Sequence, residues 1–261
     1  MPAWVEINIL REPKVEKPAL IQGLPGLGFV GKLAVNYIID EFKLKPFAEI
    51  YSSYLILSDG STGVQIREDG TYHLPKIELY ACTESKKHAI LITGDVQPTI
   101  HGQYELVSRI IDLAQRYGCD MIIALGGFQT PIERELGKVY GVFNDLSFEN
   151  KFKDLGVQIT RSGAITGACG VILGLGSQRN LPSIGLLGAT RGDYPDMEAA
   201  RSVLKVLTQI IGLKLDFSRL EKEIEEFKIR LETVRRLQAE TYPRAPYFRR
   251  EREGEKSPFY I

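Results

Sequence analysis

Short apolar runs alternate with amphipathic stretches along most of the chain. HAILITG (88–94) and MIIALGG (121–127) are almost continuously apolar, which is typical of strands buried on both faces. QYELVSRIIDLAQRYG (103–118) and PDMEAARSVLKVLTQIIG (195–212) instead place apolar residues at helical spacing and end at glycines that favour a left-handed helix end. This alternation predicts a single α/β domain, in which a mostly parallel sheet is flanked by helices.

The secondary structure of one apolar stretch, GACGVILGLG (167–176), is not predicted by its sequence pattern. It is short, and it holds four glycines, so its periodicity does not separate helix from strand. Its glycines suit either an anion cradle or the close packing of backbones, and close packing is the commoner reason for such spacing.

The pattern changes after Gly212. Ser218 and Glu221 fit a capping box, in which each side chain satisfies a free backbone N–H. From there an apolar seam repeats at spacings of three and four, as in a heptad helix. The seam comprises Leu213, Phe217, Leu220, Ile224, Phe227, Leu231 and Val234.

The seam predicts a C-terminal helix over residues 216–241, after a core domain over residues 1–215. Such a helix packs either on its own domain or against a sister subunit, and both interpretations stay open. In the second, the interface residues are Leu220, Ile224, Phe227 and Leu231.

The last segment, residues 242–261, contains prolines and many charges but shows no periodicity, so we expect a flexible tail. It finishes with the apolar and aromatic residues Phe259, Tyr260 and Ile261. Chain ends are usually polar and frayed unless something holds them. These three residues therefore either fold back on their own domain or bind another protein.

Charge and composition limit the classes of partner and the cellular location that we expect. The 33 basic and 33 acidic residues cancel, which gives no reason to expect nucleic acid or an anionic membrane as partner. No apolar run approaches the ~20 residues that cross a bilayer. The N-terminus lacks a signal-peptide pattern, and Cys82, Cys119 and Cys169 are widely spaced without a CxxC pair. We therefore expect a cytoplasmic protein.

The glycine motif GLPGLGFVG (23–31) is the strongest local pattern. Gly26, Gly28 and Gly31 match G-x-G-x-x-G between a predicted strand and a predicted helix, the context of a dinucleotide-binding loop. The acidic residue that would hold a ribose is not at the end of the following strand. The motif is therefore interpreted as a tight strand-to-helix turn, and no cofactor is expected.

Candidate catalytic residues are few. Asp95 ends a buried strand, where α/β enzymes place catalytic groups, and His101 is near enough in sequence to partner it. No nucleophile elbow, reactive-cysteine signature or metal-ligand spacing accompanies them. We predict that the protein is not an enzyme. The alternative is an enzyme acting on a nucleoside or a similar small molecule, with Asp95, His101 and the Gly26–Gly31 loop as its site.

Several stretches together resemble the archaeal and eukaryotic proteasome-assembly chaperone family. They span residues 15–215 in order, and they are GLPGLGFVGKLAVNYIIDEF, GDVQP, ALGGF, TGACGVILGLG and LLGATRGDYPDMEAARSVLKVL. The resemblance implies a nucleoside-phosphorylase-like fold without enzymatic activity. It also implies a homo-oligomer, for which family members suggest four or five subunits and we favour the tetramer.

The same resemblance gives the tail a role. Proteasome activators commonly end in a hydrophobic residue, a tyrosine and one further residue, and Phe259-Tyr260-Ile261 fits all three positions. This implies docking on the α-ring of the 20S proteasome, as an ATP-independent activator or assembly factor.

Overall fold

The computed structural model describes residues 3–241, and in the last helix it describes the side chains of residues 218–230 and 233. The strands are β1 Val5–Ile9, β2 Ala19–Gln22, β3 Pro46–Ser52, β4 Gln65–Ile66, β5 Tyr72–His73, β6 Lys76–Cys82, β7 Ala89–Gly94, β8 Met121–Gln129, β9 Val139–Phe143, β10 Gln158–Ile159 and β11 Ser183–Thr190. The helices are α1 Val30–Glu41, α2 Gln103–Arg116, α3 Phe148–Asp154, α4 Gly167–Gln178, α5 Met197–Ile211 and α6 Ser218–Thr241.

Nine of these strands form one sheet in the order β1-β3-β6-β7-β2-β8-β11-β9-β10, and β4 pairs with β5 in a separate hairpin. The central strands β7, β2, β8 and β11 run parallel. On one side β1, β3 and β6 pair antiparallel, and on the other β9 pairs antiparallel with β11. The predicted α/β fold with a helix-flanked sheet is confirmed. The sheet is mixed rather than mostly parallel, because its parallel pairings are those of this four-stranded centre and of β9 with β10.

The central strands are buried on both faces because helices cover each side. Leu20, Ile90 and Ile122 belong to one apolar cluster with side chains of α2 and α4. Their strand neighbours Ile21 and Leu91 are equally buried, and they point to the opposite face because side chains alternate along a strand. Helices α1 and α5 pack against each other and against the central strands.

Helix α1 is held unusually close to the sheet. A Cβ atom at Gly31 would lie 2.3 Å from the carbonyl oxygen of Leu125 in β8, a distance at which one backbone must move. Glycine at this position therefore lets the first turn of α1 rest directly on the strand. This contact fixes where the preceding loop, residues 23–29, lies relative to the end of β8.

The stretch that sequence periodicity left undecided is a helix, α4. Packing explains two of its glycines, since a Cβ at Gly170 would meet the carbonyl oxygen of Ile165, and one at Gly176 would meet Ile122 and Ser183. A Cβ at Gly174 would have no atom within 4 Å.

The chain divides into two compact units, Met1–Asp216 and Phe217–Ile261. In the second unit, α6 carries intrahelical ion pairs between residues four apart, such as Arg219 with Glu223 and Arg230 with Glu226. None of the helices in the described part of the chain is both long and apolar enough to cross a bilayer.

The contact between α1 and β8 gives a direct test. Replacing Gly31 by Ala should lower the free energy of unfolding by about 1–3 kcal/mol, because the added methyl group overlaps backbone atoms. Gly174→Ala is the matched control, because it adds the same group in open space within a helix. There we expect a gain of up to about 1 kcal/mol. Chemical denaturation measures both, and equal effects would contradict the proposed close approach.

Candidate functional site

A cleft lies where the central parallel strands end. Strands β2 and β8 point their carboxyl ends to the same edge of the sheet, the usual position of ligand sites in α/β folds. The cleft has a volume of about 610 Å³. Most of its walls come from the end of β2, the glycine loop, the end of β8 and the start of α4 with the residues just before it. Gln97 and Leu187 of β11 complete the lining.

One side of the glycine loop is packed against the protein itself. Gly28 adopts a left-handed conformation with φ of 58°, and a Cβ there would lie 2.9 Å from the hydroxyl of Thr190. On the other side, a Cβ at Gly127 would lie 2.5 Å from the carbonyl oxygen of Leu27. The loop thus fits tightly between the ends of β8 and β11, in agreement with the strand-to-helix turn predicted from the motif.

Gln97 connects the glycine loop to helix α4. Its amide nitrogen donates to the carbonyl oxygen of Pro25, and its amide oxygen accepts from the backbone N–H of Ala168 at 3.1 Å. Gly167, just before, has φ of 71°, and a Cβ there would lie 2.6 Å from the same amide oxygen. A neutral side chain therefore occupies the helix N-terminus that an anion would otherwise use. This favours the packing interpretation of GACGVILGLG over an anion cradle.

Asp95 is bonded differently from the candidate catalytic pair. Its carboxylate lies 3.1 Å from Nε2 of His73 and accepts from the backbone N–H of Lys76, also at 3.1 Å. His101 is exposed in the turn before α2. The structure thus brings Asp95 to His73 on the β5 hairpin, a pairing that the sequence spacing did not suggest.

Lys76, the neighbour of that pair, lies between two carboxylates. Its ammonium group is 2.5 Å from Glu49 and 2.7 Å from Glu78. Burial alone would raise the pKa of Glu49, but the hydrogen bond and charge of Lys76 outweigh it and hold the pKa below the usual value. Lys76, Glu49 and Glu78 therefore bond one another across β3 and β6. In the sheet, β7 separates these strands from β2 at the cleft.

Cys169 lines the cleft but is not activated. Burial raises the pKa of its thiol to about 12, so the thiol stays protonated at neutral pH and is a poor nucleophile. Asp196, on the far side of the glycine loop, caps α5 by accepting from the N–H of Ala199 at 2.9 Å. Among the residues described here, no three His, Cys, Asp or Glu side chains group as a metal site.

The residues predicted to bind partners lie elsewhere. Phe259, Tyr260 and Ile261 lie outside the described residues, as does the whole segment 242–261. In α6, Leu220 and Ile224 are buried, and Phe227 is half-buried. The side chain of Leu231 also lies outside the described part. The choice between a helix packed on its own domain and one packed on a sister subunit stays open.

Two residues of the cleft were missed by sequence reasoning. Gln97 was part of the GDVQP stretch, but its role requires Pro25 and Ala168, which lie about 70 residues away on either side. Gln22 ends β2, where it is buried with 3% of its surface exposed. The polar residue that closes the apolar run ALIQ is the signal that could have identified it.

Comparisons with known proteins agree on one family. A family model described as the PAC2 family matches residues 20–235. The uncharacterized protein MJ1210 of Methanocaldococcus jannaschii is 30% identical over 227 residues, 87% of this chain and 86% of the relative.

Two solved structures from Pyrococcus furiosus share the fold and more than a quarter of the sequence. PbaB, an archaeal proteasome activator, superposes with a TM-score of 0.80 at 32% identity, over 88% of this chain and 98% of PbaB. PbaA, an archaeal homolog of proteasome-assembly chaperone, gives 0.73 at 27% identity, over 91% and 98%. The resemblance to the proteasome-assembly chaperone family is confirmed.

The bridging role of Gln97 can be tested by removing its side chain. Gln97→Ala should lower the free energy of unfolding by about 1–3 kcal/mol, since it leaves the Ala168 N–H and the Pro25 carbonyl without their partner. Gln129→Ala, an exposed glutamine at the same cleft, is the matched control and should change stability little. If the two variants unfold at the same denaturant concentration, Gln97 does not hold the loop to the helix.

Proposed function

The chain belongs to the PAC2 family, and from that premise we propose that it docks on the α-ring of the 20S proteasome and acts there as an ATP-independent activator or assembly factor. The observation that carries this proposal is the likeness to the archaeal proteasome activator PbaB, at 32% identity and a TM-score of 0.80. The glycine loop adds indirect support, because Gly28 packs against Thr190 and Gln97 occupies the N-terminus of α4, so both features have a packing role.

The residues proposed to dock are Phe259, Tyr260 and Ile261. Burying one such apolar side chain in a pocket contributes roughly 1.5–3 kcal/mol. In a chain that ends at Ile261, the carboxylate adds a charge-assisted hydrogen bond to a lysine or to backbone N–H groups. Pockets between neighbouring α-subunits are the proposed acceptors.

The preceding segment sets the reach of these residues. Residues 241–258 extend to at most ~60 Å, at about 3.3 Å per residue. A folded domain that sits above the α-ring can therefore place the three residues in a pocket well away from the surface of that domain.

A single tail of this kind binds weakly, because ordering the segment costs entropy. Several tails on one oligomer raise the overall affinity by about 10² to 10⁴ without a new contact. The proposal therefore includes a homo-oligomer, with the tetramer favoured over the pentamer. Leu220, Ile224, Phe227 and Leu231 of α6 are its proposed interface.

The tail is tested by deleting residues 259–261. We expect the melting temperature to stay the same and binding to purified 20S proteasome to be lost. Tyr260→Ala should weaken binding nearly as much as the deletion, and Tyr260→Phe should weaken it less, because the ring remains. One residue added after Ile261 should also abolish binding, because it moves the carboxylate by about 3.3–3.6 Å.

Tyr247→Ala is the control for this series, since it removes the same ring from the same segment outside the last three residues. It should bind the proteasome as wild type does. Deleted and extended chains that bind and stimulate the proteasome like wild type would rule out docking through these residues. A deletion that instead lowers the melting temperature would mean that they serve their own fold.

The oligomer is tested on α6 with matched substitutions. Ile224→Glu should reduce the mass measured by light scattering, because a charge enters the apolar stripe. Ile229→Glu makes the same chemical change at a residue that is 56% exposed, and it should leave the mass unchanged. A wild-type chain that is monomeric at micromolar concentration removes the avidity on which tail docking depends. If Ile224→Glu lowers the melting temperature but leaves the mass unchanged, the apolar stripe packs on its own domain.

A further inference from the structure

Gln22 is a buried polar residue with an unmet hydrogen-bonding group. It is the last residue of β2, it pairs with Ile92 and Ala124 on the flanking strands, and only 3% of its surface is exposed. Within the described part of the chain, its amide oxygen accepts no hydrogen bond. An unpaired buried polar group destabilises a fold, so its presence calls for an explanation.

The side chain faces the cleft rather than the core. Gln22 lies two residues after Leu20, and alternation along the strand puts both on the face covered by α4. There Gln22 lines the 610 Å³ cleft together with Leu125, Gly126, Thr166 and Cys169. Its unpaired amide therefore borders the cleft, whereas the Gln97 amide is already held by Pro25 and Ala168.

The lining of the cleft limits what it can hold. The described residues that line it include leucines, glycines, glutamines and one threonine, but no charged side chain. A phosphate or carboxylate would enter without a cation to offset its lost hydration. An uncharged molecule with apolar surface faces no such penalty, and the cleft volume is within the range of small-molecule sites.

We propose that this cleft binds an uncharged small molecule bearing an amide edge, an N–H beside a C=O, which pairs with the side-chain amide of Gln22. The glutamine amide presents one acceptor and donor hydrogens in one plane, so such an edge makes two hydrogen bonds with it at once. In one of these bonds, the N–H of the ligand donates to the amide oxygen of Gln22, which otherwise has no donor among the described residues. The binding is independent of proteasome docking, because it involves neither α6 nor residues 242–261.

Calorimetric titration of the full chain tests the proposal with nicotinamide, uracil and 2-piperidone as probes. At least one should bind saturably, with a dissociation constant below about 1 mM. Nicotinate is the matched probe for nicotinamide, because a carboxylate replaces the amide on the same ring. If nicotinamide binds, nicotinate should bind at least 10-fold more weakly, since the cleft offers no cation.

Gln22→Leu separates a ligand-binding glutamine from a structural one. The variant should lose at least 10-fold in affinity for the bound probe while melting at or above the wild-type temperature, since it removes an unpaired buried group. Gln129→Leu makes the same change at an exposed position of the cleft and should retain binding.

Three results would overturn the proposal. The first is that none of the three amides binds, and the second is that Gln22→Leu binds like wild type. The third is that Gln22→Leu melts below wild type or does not fold, because the amide then serves the fold. None of these measurements involves the proteasome, so they leave the docking proposal to its own tests.

Discussion

The close approach of the 23–31 segment to the central strands is the constraint on which the arrangement of the site depends. Backbone atoms of this segment touch β8 at Leu125 and Gly127, where a single methyl group would not fit. Interiors this dense do not absorb an added atom without moving a neighbouring element. The position of the loop, the start of α1 and one wall of the cleft all follow from that contact.

The same contact gives the enzyme-like glycine motif a packing role. Glycines that approach a pyrophosphate in a dinucleotide-binding fold here approach Thr190 and the ends of two strands. Gln97 then takes the N–H at the start of α4, where the helix dipole would favour an anion. Among the described residues, the cleft lining carries no charged side chain, and the amide oxygen of Gln22 there accepts no hydrogen bond.

The two proposals place binding at opposite ends of the chain and by different physics. Docking through the last three residues depends on apolar insertion, a carboxylate and the multiplicity of an oligomer. Binding at Gln22 depends on one buried amide in the centre of the sheet. Docking is thus a property of short segments that act together in an oligomer, whereas binding at Gln22 is a property of a single folded domain.

The sequence by itself determined the elements whose pattern is local. The continuous apolar runs of β7 and β8, the helical spacing of α2 and α5, and the change of character after Gly212 are each visible within twenty residues, because burial dictates periodicity. The glycine motif was predicted to be a strand-to-helix turn, and the chain does turn there from β2 into α1.

Tertiary structure alone decided the rest. α4 is a helix because packing on α2 and the central strands accommodates its glycines, which its own periodicity did not show. Asp95 pairs with His73 rather than His101 because the antiparallel pairing of β6 with β7 brings the chain just before β6 beside the end of β7. Gln97 holds two distant segments together, and Gln22 is left unpaired, because these outcomes depend on which chain segments meet across the sheet. Long-range packing determines these contacts, and no local pattern of residues predicts them.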